Sequence, residues 1–206
     1  MFNTHQKTIG AYARADARAF ARTLKFVVLT IRESLENVQL NLEALEHGTT
    51  PQEEASILFG HKRDAWDYIE THAEDIHWQA EEINYHGDNI AQNLVALFAT
   101  IPGIGPAKAG FCAQLIYGCG GCIDTHNIVR LGIDPNAIKS DRYKRAKGLQ
   151  TRIKYLERYI ALCDRAGGCA QLWDDWCTYV ATKRGNGTTA YDISALHCRA
   201  LGLPSI

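Results

Sequence analysis

The chain lacks any long hydrophobic run. A membrane-spanning helix needs roughly 18 or more consecutive apolar residues, and the best early stretch, Phe26-Val-Val-Leu29, is one turn of helix. No membrane partner is expected. Strand-period alternation of apolar and polar residues is nearly missing, which argues against a β fold. Internal repeats and low-complexity segments are missing too, which sets aside solenoid and fibrous architectures. No secretory signal pattern opens the chain, so an intracellular, cytoplasmic setting with reduced thiols is expected. The seven cysteines contain one pair at two-residue spacing, Cys119-Gly-Gly-Cys122. Cys163, Cys169, Cys177 and Cys198 form no second such pair, so a zinc ribbon has no ligand set.

Net charge is small as well, −1 over 206 residues, but it is unevenly spread. Residues 1–100 carry 8 Lys and Arg against 15 Asp and Glu, whereas residues 101–206 carry 14 against 8. An acidic half joined to a basic half presents one face to a polyanion. The length and a hydrophobic content of 46% suffice for one large domain or two small lobes sharing a cleft.

Helical periodicity dominates what remains. The spacing of Phe20, Leu24, Val27, Val28, Ile31, Leu35, Val38, Leu42 and Leu45 predicts a helix over 14–46. Thr50-Pro51 followed by Glu53 and Glu54 reads as the capped start of an acidic helical region to Glu82, with Trp66, Ile69, Ile76 and Ile83 inward. Asp88 is placed to cap a short helix ending at Phe98, and a second short helix spans 106–117. Gly118–Cys122 reads as a flexible loop, Asp124 or Thr125 as the start of a helix ending near Gly132, and Asp134-Pro135 as a turn. A basic amphipathic helix over 141–165 and two helices at about 168–182 and 189–201 finish the chain. The expected fold is all-α, with eight to ten helices.

Between two of these helices lies Ile101-Pro-Gly-Ile-Gly-Pro106. Two glycines flanking one apolar residue, with Pro at the next helix start, make a compact hairpin. Such a hairpin turns backbone N–H groups outward at a helix N-terminus, where a phosphate can sit. Eighteen residues after Pro106 come Asp124-Thr125-His126, so a carboxylate follows the anion grip one helix later. The pair points to chemistry on a nucleic acid.

Together, Ile101-Pro-Gly-Ile-Gly-Pro-Ala-Lys-Ala109 and Cys122-Ile-Asp-Thr-His126 resemble the helix-hairpin-helix DNA glycosylase superfamily, which includes endonuclease III. The match covers about 30 residues of the chain. The resemblance implies two helical lobes with a cleft between them, here approximately 1–50 plus 133–206 and 51–132, forming one unit with the hairpin at 101–117. It implies double-stranded DNA as partner, possibly with modified bases. One phosphate would be held by backbone N–H groups around Gly103, Ile104, Gly105 and Ala107, with Lys108 adding charge and Thr125 and His126 as neighbours. The carbonyls of Ile101 and Ile104 would take a monovalent cation when DNA is present. Asp124 would be the catalytic residue, because cleaving an N-glycosidic bond builds positive charge on the deoxyribose that a carboxylate stabilises.

The chain departs from the family in three places. Strand-cleaving members carry a nucleophilic lysine two residues after the second hairpin glycine. That position is Ala107, and Lys108 is one step on, rotated about 100° around the helix. The gaps Cys163-x5-Cys169-x7-Cys177-x20-Cys198 do not fit the family's iron–sulfur spacing, so no cluster and no other cofactor is expected. The family's glutamine-bearing helix aligns nearest to Leu29-Thr-Ile-Arg32, which puts Arg32 in its place.

The basic helix offers Lys139, Arg142, Lys144, Arg145, Lys147, Arg152, Lys154 and Arg158 for phosphate contact along a duplex. A flipped base needs flat walls, for which Trp66, Trp78, Tyr85, Trp173 and Trp176 are candidates, with Asn127 and Asp175 as polar readers. The favoured reading is a monofunctional glycosylase. Two readings stay open beside it: a transferase of the same fold that modifies 5-hydroxymethyluracil-derived thymines, as in some phage proteins, and a non-catalytic hairpin DNA-binding module.

Overall fold

The computed structural model describes residues 4–204 except 135, 137 and 139, and gives the backbone alone at 125, 126, 140 and 141. Among the described residues the chain is all-α, as the periodicity leads one to expect, with twelve α-helices. In order these are α1 (Thr4–Ala13), α2 (Ala17–Leu29), α3 (Leu35–His47), α4 (Pro51–Ile57), α5 (His61–His86) and α6 (Ile90–Phe98). There follow α7 (Pro106–Tyr117), α8 (Thr125–Arg130), α9 (Ser140–Arg145), α10 (Leu149–Arg165), α11 (Gly168–Arg184) and α12 (Ala190–Ala200). None of them is long and apolar enough to cross a membrane.

Caps fix several starts. Asp16 accepts from Ala19 N at 2.8 Å ahead of α2. Thr50 and Glu53 form a reciprocal capping box on α4, with Pro51 at the first helical position. Thr189 and Asp192 do the same on α12. Each such cap satisfies N–H groups that the first helical turn leaves without partners.

Three stretches expected to be continuous are broken, which raises the helix count. The 14–46 helix is two, because the chain turns at Arg32, a non-glycine residue at φ 57°, and restarts on the Ser34 cap. No Pro or Gly marks that break, and the apolar spacing runs straight through it. The acidic region divides after Leu58, and α5 begins beyond Gly60. The basic 141–165 helix divides into α9 and α10 at Gly148, φ 92°. Asn89, not Asp88, precedes α6, and its side chain makes no cap. The turn expected at Asp134-Pro135 and the basic position Lys139 include residues outside those described.

At the centre lies α7, buried nearly all round: Pro106, Ala109, Gly110, Phe111, Cys112, Ala113, Gln114, Leu115 and Ile116 are all enclosed. It packs against α6, α1 and α2. In turn α2 packs on α5 and α3, and α12 on α11, α3 and α1. One contiguous core joins these helices, built on Phe20, Leu24, Phe26, Ile69, Leu94, Phe98 and Trp173. Burying an aliphatic or aromatic side chain of this size contributes about 1.5–3 kcal/mol each. The hairpin's second helix is therefore a central strut.

The segment after α7 folds back onto it at Gly110. A Cβ at Gly110 would lie 2.1 Å from Gly121 O and 2.8 Å from the Tyr159 hydroxyl. Gly110→Ala is expected to destabilise the protein by about 2–3 kcal/mol, as overpacking against fixed backbone does. Urea unfolding followed by circular dichroism measures it, and unchanged stability would contradict this packing.

Candidate functional site

Ile104 N donates to Ile101 O at 3.1 Å to close the hairpin. This uses one lone pair of the Ile101 carbonyl. Gly103 adopts φ 77°, and a Cβ there would meet His61 Cβ at 2.7 Å and His61 O at 2.8 Å. The hairpin is thus seated on the first turn of α5, which only glycine permits. Gly105 is the N-cap of α7 and offers no side-chain cap. Among the described residues no side chain therefore caps the first-turn N–H groups of Ala107 and Lys108, the arrangement an anion uses.

Beyond α7, the 121–123 backbone is pinned at successive points. Cys122 N donates to Gln114 Oε1 at 3.3 Å, and Gln114 Nε2 donates to Cys169 O at 2.8 Å. Ile123 N donates to the Tyr159 hydroxyl at 3.1 Å, which itself donates to Gly121 O at 2.8 Å. Asn127 Nδ2 donates to Cys122 O at 2.7 Å. The part of the expected flexible loop that leads into Asp124 is therefore held firmly. Asp124 caps α8, its Oδ1 accepting from Asn127 N at 2.9 Å, and among the described residues Oδ2 takes no hydrogen bond.

Gly103, Lys108 and Asp124 meet on one cavity of about 690 Å³. This lies within the range of roughly 300–1,000 Å³ typical of small-molecule sites. The 30–35 link between α2 and α3 forms one wall, and Trp173, Trp176 and His197 form another. Lys108, expected at a phosphate, turns its ammonium to this wall: Nζ donates to Thr30 Oγ1 at 2.7 Å and sits 5.3 Å from the Phe111 ring centre. Lys62 is buried close by, its Nζ 4.6 Å from the Phe59 ring centre. Burial pushes the Lys62 ammonium down, Glu33 opposes that shift, and Lys108 adds to it.

A larger cavity, about 1090 Å³, lies between α2, α3 and α5 and includes Arg22, Lys25, Glu46 and Glu70 in its walls. Two of its cations are paired, Arg22 with Glu46 at 2.6 Å and Lys25 with Glu70. The smaller cavity is the better candidate because the hairpin and Asp124 both line it.

The other expected site residues are scattered. Arg32 is exposed on the cavity wall, in a turn rather than a helix. Asn127 lines the cavity, but Cys122 and Arg130 take up its amide. Asp175 holds Arg130 at 2.7 Å and accepts from Gln171 at 2.7 Å. Trp66 is away from the site, buried in the core with Lys25 over its ring at 4.6 Å. Trp78 and Tyr85 are exposed on α5, outside the cavity wall. Arg142, Lys144 and Arg145 are exposed on α9. The Thr125 and His126 side chains lie outside the described residues. Sequence reasoning missed Gln114, Tyr159 and His197. Of these, only Gln114 carried a signal, as a lone polar residue in an apolar stretch.

The cysteines are free thiols. Burial pushes Cys119 and Cys122 up to about 12 and Cys163 higher still, which makes them packing groups rather than reactive ones. Among the described residues, no group of three or more His, Cys, Asp or Glu side chains could hold a metal ion. Comparison with protein-family models, curated proteins and solved structures gives no match.

His197 is fully buried, and desolvation drives it down to about 4 from an ordinary 6.5. Both folded and unfolded forms are neutral above pH 6.5. Between pH 6.5 and 4 only the unfolded form gains the proton, so stability falls as pH falls through that window. The loss is on the order of 3 kcal/mol. His197→Phe is expected to flatten this part of the stability-versus-pH curve, measured by urea unfolding at stepped pH; an identical slope in the variant would contradict the burial argument.

Proposed function

We propose that the protein is a DNA base-directed enzyme of the helix-hairpin-helix glycosylase type, with residues 1–50 and 133–206 facing 51–132 across a cleft. The observation that carries this reading is the convergence of the hairpin, through Gly103 and Lys108, with Asp124 on one cavity of about 690 Å³. The N–H groups of Ala107 and Lys108, with those around Gly103 and Gly105, hold one phosphate of a duplex. Ile101 and Ile104 have carbonyls to offer a monovalent cation beside it. Exposed Arg142, Lys144 and Arg145 contact further phosphates.

A modified or damaged base is flipped into the cavity. As the C1′–N bond breaks, the base leaves with the electron pair and positive charge grows on the deoxyribose. The Asp124 carboxylate stabilises that charge and orients a water whose oxygen bonds to C1′. One water proton goes to the departing base or to solvent. Because Ala107 stands where strand-cleaving relatives have lysine, the reaction stops at the abasic site.

Duplexes carrying uracil, alkylated, oxidised or 5-hydroxymethyl pyrimidines, digested and analysed by mass spectrometry, test this. Free base is expected from one of them. Asp124→Asn is expected to lower turnover by about 10²–10³-fold with duplex binding retained, and binding should weaken with salt by about −0.9 in log–log slope per phosphate. Normal turnover in that variant, or a borohydride-trapped adduct, would sink the mechanism. A heavier nucleoside in place of free base would reassign the reaction to group transfer.

A further inference from the structure

One wall of the cavity includes a buried polar atom with no hydrogen-bond partner among the described residues. His197 lines the cavity and is 0% exposed. Its Nδ1 is 3.0 Å from Ile193 O, which accepts the ring's N–H. The imidazole therefore carries its lone pair on Nε2, and among the described residues Nε2 has no hydrogen-bond partner. Four aromatic rings surround it: Trp173 at 4.7 Å between ring centres, Trp176 at 5.4 Å, Phe26 at 5.9 Å and Phe111 at 6.2 Å. A trapped water needs two to four polar partners, and the imidazole is bordered by aromatic faces, with Ser194 Oγ accepting from Trp173 Nε1 at 3.2 Å. A buried acceptor among aromatic faces is a costly thing to leave unmatched.

A donor stands on the same wall. Lys108 Nζ lies over the Phe111 ring that also borders His197. The ammonium has three N–H bonds, two of them directed at Thr30, to Oγ1 at 2.7 Å and to O at 3.4 Å. One remains. The site thus combines flat apolar walls, one neutral acceptor and one cationic donor. A compact ammonium with rotatable N–H bonds can donate to a carbonyl oxygen of a bound ring.

We propose that the cavity wall at His197 and Lys108 seats a nucleobase with a ring N–H beside a carbonyl, the thymine- and guanine-type edge. His197 Nε2 accepts the N–H, and Lys108 donates to the carbonyl. This deepens the DNA-base reading above and rests on it for its biological meaning. His197 is then a specificity-determining residue, and Trp173, Trp176 and Phe111 supply the flat surface for the ring.

Free nucleosides test the seat without DNA. Thymidine, N3-methylthymidine, deoxyguanosine, deoxycytidine and deoxyadenosine are titrated against the full chain, with saturation-transfer NMR and tryptophan fluorescence as readouts. Thymidine and deoxyguanosine are expected to bind about tenfold or more tightly than the other three, because N3-methylation removes the donor and the amino bases reverse the edge. His197→Phe keeps an aromatic ring but lacks the acceptor, and should abolish the preference for thymidine over N3-methylthymidine. His197→Gln keeps an acceptor and should retain it. The wild-type comparison stands even if a variant fails to fold.

Equal binding of thymidine and N3-methylthymidine, or no binding of any nucleoside, would overturn the seat and leave Nε2 with a buried water only. Equal binding of deoxycytidine or deoxyadenosine would overturn the assigned edge. Salt-dependent duplex binding without a nucleoside preference counts against this inference alone. A nucleoside preference without duplex binding supports the seat and counts against the DNA reading.

Discussion

Two backbones meet at Gly110 at a distance that admits no side chain, and the geometry of the site follows from that contact. With Gly121 O only 2.1 Å from where a Cβ would lie, the segment after α7 presses against the helix itself. That closeness puts the Tyr159 hydroxyl between Gly121 O and Ile123 N, and lets Gln114 reach Cys122 N. The three residues before Asp124 are thereby fixed, Cys122 to the helix that begins at the hairpin and Gly121 and Ile123 to Tyr159 on α10. The hairpin is fixed in turn by Gly103 against His61. A carboxylate and a row of helix N–H groups keep a constant relation because both ends of α7 are clamped.

Charge in the molecule is arranged in two styles. Around the larger cavity, Arg22 and Lys25 each face a carboxylate, and such pairs near the surface contribute little, about 0–1 kcal/mol each. Near the smaller one, Lys62 is shielded from water with the Phe59 ring 4.6 Å from its Nζ, Lys108 is tied to a hydroxyl and a carbonyl, and His197 Nε2 has no hydrogen-bond partner among the described residues. Burying polar groups without full compensation lowers stability. Groups of that kind collect where a ligand, rather than the fold, completes the set.

Much of the architecture could be read from the sequence because helices announce themselves by spacing and caps. Thr50 with Glu53 gave the start of α4, and Pro106 and Gly118 bracketed α7. The break at Arg32 escaped because it relies on a left-handed arginine in a run without Gly or Pro, where tertiary packing overrides local preference. For Trp66 the helical spacing points inward and residue type points to a base wall, and its place on α5 buries it in the core against Lys25. Asp124 and the hairpin were legible as a motif. His197 was not, because its meaning comes from Trp173, Trp176, Phe26 and Phe111, which reach it from three separate helices, and no local pattern encodes that meeting.

The position of Lys108 shows how one residue of register changes what an amine can do. At the preceding position, Ala107, a side chain would leave α7 about 100° away around the axis. Moved one step on, the lysine runs along the wall to Thr30 and over Phe111, held by a hydroxyl, a carbonyl and a ring face. An amine held in this way is a fixed donor and a fixed charge, not a group free to swing onto a sugar carbon. In the proposed reaction this separates two tasks that a single lysine would otherwise combine. Asp124 meets the charge that grows on the sugar, and Lys108 meets the oxygen of the base that leaves. A rigid donor suits the second task because the base must be held in one orientation while its bond to the sugar breaks. The same rigidity removes the nucleophile that strand cleavage would require.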